Sequence, residues 1–63
     1  MKFTHAEMAE IFAGAASSRQ QFIELHRQKR DRPDTWFHQQ ERELAAFVQA
    51  EQDYRRAAER RQA

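Results

Sequence analysis

Three histidines, two adjacent serines and a scatter of carboxylates are the residues whose types could do chemistry in this 63-residue chain. His5, His26 and His38 invite a metal reading, but helical zinc ligands sit at i, i+4 or in tight clusters, and no two of these histidines are so spaced. His26 is expected instead as a partly buried ring near the end of a core, opposite Phe37 and close to His38. There is no cysteine, which removes a thiolate nucleophile, a cysteine-ligated zinc fold and a disulfide-stapled fold together. Ser17 and Ser18 lie outside any glycine-rich elbow, and a single glycine, Gly14, leaves no room for a phosphate-cradling loop. The acids are spread along the chain, with none forming an isolated pair on an apolar surface. The sequence therefore implies no catalytic residues, no metal, no cofactor and no small-molecule substrate.

Charge offers a second chemistry. Residues Arg27 to Arg32 carry four positive charges and one negative, and Arg27, Lys29, Arg30 and Arg32 form a basic cluster that would attract a phosphate backbone. Glu24, Asp31 and Asp34 dilute that field, and a net charge of +1 falls short of a dedicated nucleic-acid binder. Cations there also offset the negative end of a helix dipole, which is the simpler expectation.

The elements that carry these residues are legible from local signals. Thr4 followed by Glu7 is a capping box, and Phe3 stands four residues and one cap away from Met8 as a hydrophobic staple. A first helix is predicted from His5 to about residue 31, where Pro33 disfavours helical backbone in the residue before it. At 100° per residue, Met8, Ile11, Phe12, Ala15, Phe22, Ile23 and Leu25 share an arc of roughly 160°. A turn over about 31–34 leads into a second helix, about 34–60, with Pro33 suited to its first turn and Asp34 to its positive dipole end. Trp36, Phe37, Leu44, Phe47, Val48 and Tyr54 share a narrower arc of roughly 120° there. Glu51 and Arg55 are spaced i, i+4 as helix support, and Arg60 to Ala63 are expected to fray.

The fold implied is all-α: an antiparallel two-helix hairpin forming one domain over residues 1–63, in which position i faces about 63 − i. The small run Ala13 to Ser18 then lies opposite residues 45–50, Arg19 opposite about Leu44, and Phe22 and Leu25 opposite Trp36 and Phe37. Arg19 and Glu51, on the apolar faces, do not meet within one chain, and are expected at a dimer contact or at the stripe edges. A rival division breaks the first helix at Gly14, caps a second at Ser17 or Ser18, and makes a helix-turn-helix aiming Arg19 and Gln20 at DNA. The alanines around Gly14 favour the unbroken helix.

Only 14 of the 63 residues are apolar side chains larger than alanine, and a chain this short has a marginal core. A hairpin has no third layer, so part of each stripe stays wet. Pairing into a four-helix bundle by homodimerisation, or binding to another protein, is the expected remedy. The contact residues expected are Met8, Ile11, Phe12, Phe22, Ile23, Leu25, Trp36, Phe37, Leu44, Phe47, Val48 and Tyr54. In architecture alone, with the basic Arg27–Arg32 segment near its turn, the hairpin resembles Rop-like helical-hairpin dimers, in which a bundle face binds RNA. That resemblance implies nucleic acid as the alternative partner, through Arg27, Lys29, Arg30 and Arg32, or through Arg19 in the helix-turn-helix division. No apolar run approaches the ~18 residues that span a bilayer, and no secretion signal is evident, so no membrane partner and a cytoplasmic location are expected. The functional expectation is a small regulatory adaptor, inhibitor or accessory factor of phage or bacterial type, working by protein contact.

Overall fold

The computed structural model describes residues 2–62, with side chains through residue 60. The chain forms two helices, α1 (His5–Lys29) and α2 (Asp34–Gln62), which pack on each other as an antiparallel hairpin measuring 47 × 18 × 17 Å.

α1 starts where the capping box places it. The Thr4 N–H donates to the Glu7 carboxylate at 2.9 Å, and the Glu7 N–H donates to the Thr4 hydroxyl at 3.1 Å. Phe3, the outer half of the expected staple, is 52% exposed. The helix runs unbroken through Gly14, so the division into a helix-turn-helix does not form. It stops at Lys29, two residues earlier than the proline alone predicts. The reason is Arg30, which takes the left-handed conformation (φ 54°, ψ 38°) and donates its N–H to the His26 carbonyl at 2.9 Å. That closes the last turn in the manner usually reserved for glycine.

Pro33 stands just before α2 rather than inside its first turn. Its carbonyl accepts from the Trp36 N–H at 3.0 Å and the Phe37 N–H at 3.4 Å, starting the helix while its own missing N–H costs nothing. α2 then continues to Gln62, past the expected fraying point at Arg60; Met1 and Ala63 lie outside the described residues.

The residues between the helices follow one heptad. On α1 the row is His5, Ala9, Phe12, Ala16, Arg19, Ile23 and His26; on α2 it is Trp36, Gln40, Glu43, Phe47, Ala50, Tyr54 and Ala57, each stepping by three and four, and each partly or fully buried. The pairs His5–Tyr54, Phe12–Phe47 and Arg19–Gln40 step seven residues down one helix and seven up the other. This is the packing of an antiparallel coiled coil. Ala9 (0% exposed) and Ala16 are buried with Ile23, so alanines let the two backbones approach and the aromatics of α2 fill the space.

Candidate interaction face

Three clusters of side chains lie along the seam. At the open end, the His5 ring lies 5.9 Å from Tyr54, which stacks nearly parallel on Phe12 at 5.8 Å. The Nδ1 atom of His5 is buried there without a hydrogen-bond partner. In the middle, Arg19 Nη1 donates to Gln40 Oε1 at 2.6 Å and to Glu43 Oε1 at 2.5 Å, while its guanidinium sits 5.5 Å over the Phe47 ring. Arg19 is thus satisfied inside its own chain and faces Gln40, one helical turn from the expected Leu44. Glu51 is likewise held within its chain, accepting from Arg55 Nε at 3.1 Å and Nη2 at 2.8 Å, while Arg55 also lies 3.7 Å from Glu10 on α1.

At the turn end, His26 is wedged between Phe22 (4.6 Å) and Trp36 (5.0 Å), with Trp36 also packed edge-on against Phe37. Its Nδ1 lies 2.9 and 3.1 Å from the two oxygens of Asp31. That contact, ahead of the charge of the neighbouring Arg32, holds the Asp31 carboxyl below the usual range. His26 therefore meets Trp36 and Asp31 rather than Phe37 and His38, and His38 is exposed on α2. No group of three or more His, Cys, Asp or Glu side chains among the described residues is placed to hold a metal ion.

The basic segment is partly spent on the fold. Arg27 donates to Glu41 at 2.9 Å, lies 4.0 Å from Glu24 and covers the Phe37 ring at 5.6 Å. Arg32 covers the Trp36 ring at 5.4 Å. Lys29 and Arg30 are exposed at the end of α1.

The twelve expected contact residues separate into two sets. Phe12, Ile23, Trp36, Phe47 and Tyr54 are in the hairpin seam; Met8, Phe37 and Leu44 flank it and are partly buried. Ile11 (48% exposed), Phe22 (43%), Leu25 (47%) and Val48 (38%) remain open to solvent. Three of these four lie on α1. The 160° arc of that helix is in fact two adjoining stripes, one covered by α2 and one bare. Beside the bare stripe runs a shallow groove of about 660 Å³ lined by Ala15, Ser18, Arg19, Phe22, Gln40, Glu43 and Phe47. The residues that sequence reasoning missed are Ala9, Gln40 and Glu43, for which the signal was the unbroken heptad itself.

No protein-family profile, no curated protein and no solved structure matches this chain. No helix among the described residues is long and apolar enough to cross a membrane.

Proposed function

We propose that this chain is a small non-enzymatic protein-interaction module, a regulatory adaptor, inhibitor or accessory factor, that works through the apolar side of its helical hairpin and self-associates as a homodimer with four helices. The observation that carries this reading is the bare row Ile11, Phe22 and Leu25 on a helix whose other stripe is already covered. Large apolar side chains gathered on one helix flank mark a protein contact more often than a solvated surface. The total accessible surface of 5179 Å² supports it. A compact monomer of 7.6 kDa exposes about 4,300 Å², so the excess of about 900 Å² is near the area one partner contributes to a standard interface.

Nucleic acid is the weaker alternative because its contact residues are engaged elsewhere. Arg19 is tied into the seam, Arg27 to Glu41 and Arg32 over the Trp36 ring, leaving Lys29 and Arg30.

Solution mass against concentration tests the reading, with titrations of duplex DNA and of RNA at two salt concentrations alongside. A concentration-dependent dimer with no salt-steep nucleic-acid binding is the expected result. Binding that weakens by the large factors several phosphate contacts produce would overturn it in favour of the basic turn.

A further inference from the structure

The bare residues of α1 belong to a heptad row that the partly buried Met8 and Ala15 complete. Met8, Ile11, Ala15, Ser18, Phe22 and Leu25 step by three and four residues, span an arc of about 100° and lie about 100° around the helix from the row that meets α2. Their sizes run large, large, small, small, large, large. The row is therefore symmetric about the point between Ala16 and Ser17: Met8 mirrors Leu25, Ile11 mirrors Phe22, and Ala15 mirrors Ser18. A two-fold contact requires one patch to complement itself in this way.

From this pattern we infer that the occupant of the bare stripe is a second copy of the chain, with the two α1 helices antiparallel and crossing at Ala16–Ser17. This rests on the protein-binding reading above and specifies its partner and its surface. Small residues at the crossing let the backbones approach, and a layer of large apolar side chains closes each end. Charge selects the same direction. The N-terminal half of α1 carries Glu7 and Glu10 and no lysine or arginine, whereas the C-terminal half and cap carry Arg19, Arg27, Lys29 and Arg30 against Glu24. Antiparallel pairing brings Glu7 of each copy alongside Lys29 of the other; parallel pairing would set like against like.

Sedimentation of the full chain and of two kinds of variant tests this. The parent should sediment at twice its chain mass. Ile11→Asp and Leu25→Asp, both at exposed positions the hairpin does not need, should each weaken the dimer about 30-fold or more while helicity is kept. The chain's lack of cysteine makes direction readable. Oxidising a mixture of the Met8→Cys and Leu25→Cys chains should give the mixed disulfide dimer, while Met8→Cys alone gives none, because its two copies lie about 26 Å apart. A self-linked Met8→Cys dimer would establish parallel pairing and overturn the inference. A dimer that survives both aspartates but is lost on Val48→Asp would move the contact to α2 and leave the homodimer reading standing. A parent that is a stably folded monomer at every concentration would remove that reading as well.

Discussion

Arg19 of α1 and Glu43 of α2 meet across the middle of the hairpin seam, Nη1 to Oε1 at 2.5 Å, at the one level where neither helix offers an apolar residue. Gln40 takes a second hydrogen bond from the same nitrogen, and the Phe47 ring lies under the guanidinium. A partly buried ion pair contributes little net stability but penalises any register in which it is broken. Replacing both residues, Arg19→Leu with Glu43→Leu, should leave the melting temperature unchanged or raised. The same variant should sediment as more than one species, because the layer that specifies the pairing is gone. A loss of more than about 2 kcal/mol would show that the pair stabilises the hairpin rather than selecting its register.

Ile23 and Ile11 are the same residue on the same helix, one 3% and the other 48% exposed. Ile23→Ala should therefore cost about 2–4 kcal/mol in a urea titration, enough to unfold a domain this small. Ile11→Ala, followed at concentrations where the chain is monomeric, should stay within about 0.5 kcal/mol of the parent. Phe47→Ala should cost about 2–3 kcal/mol, comparable to Ile23→Ala, because the ring packs on Phe12 yet is only partly buried. Equal losses at Ile11 and Ile23 would contradict the division of α1 into a covered and a bare stripe.

These two isoleucines also mark how far the sequence could be read. The capping box at Thr4 and Glu7 and the i, i+4 pair Glu51–Arg55 are local chemistry, and each forms where its spacing places it, while the turn before Pro33 opens two residues early. The antiparallel pairing follows from them, but His5–Tyr54, Phe12–Phe47 and Arg19–Gln40 set a register of 59 − i, about one helical turn from the expected 63 − i. The face of α1 that meets α2 was not legible from hydrophobicity, which ranks Ile11 and Leu25 above Ala9 and Ala16. Close packing reverses that order, since alanine admits the partner backbone and the α2 aromatics fill the layer. His5, Arg19 and His26 occupy seam positions through ring and stem atoms, so a count of apolar residues passes over them. Arg30 hid the true end of α1 because arginine gives no sign of a left-handed cap.

Gly14 and Arg30 stand at each other's preferred positions. A Cβ added at Gly14 meets nothing within 4 Å, so Gly14→Ala should stabilise the mid-helix backbone by about 1 kcal/mol. For a domain of this size that is a rise of about 4–8 °C in melting temperature. Arg30→Gly should add a similar increment by relieving the left-handed backbone of a residue with a Cβ. Thermal melts of the two single variants and the double check this, with near-additive gains expected for sites this far apart. A fall on Gly14→Ala would mean that something outside the hairpin packs against that glycine.

Acid should unfold the hairpin through carboxylates held at its turn, at the cap of α1 and on the surface of α2. Asp31 is held below its ordinary range first by its hydrogen bond with His26; Glu7 by the Thr4 backbone N–H and then the Thr4 hydroxyl; Asp53 by Arg56 and then Gln49. A carboxylate whose folded pKa is depressed contributes stability in full above its unfolded value of about 4 and loses it as pH falls through the lower folded value. Helicity followed by circular dichroism should therefore be level near neutrality and decline below about pH 4. Asp31→Asn and Glu7→Gln should each lower stability at neutral pH and flatten that decline. Trp36 reports the first site directly, since its ring lies 5.0 Å from His26 and protonating Asp31 releases the imidazole beside it. A change in Trp36 fluorescence along the acid limb that disappears in Asp31→Asn is the expected signature. An acid limb of the same steepness in the Asp31→Asn, Glu7→Gln double variant would place the acid sensitivity elsewhere in the chain.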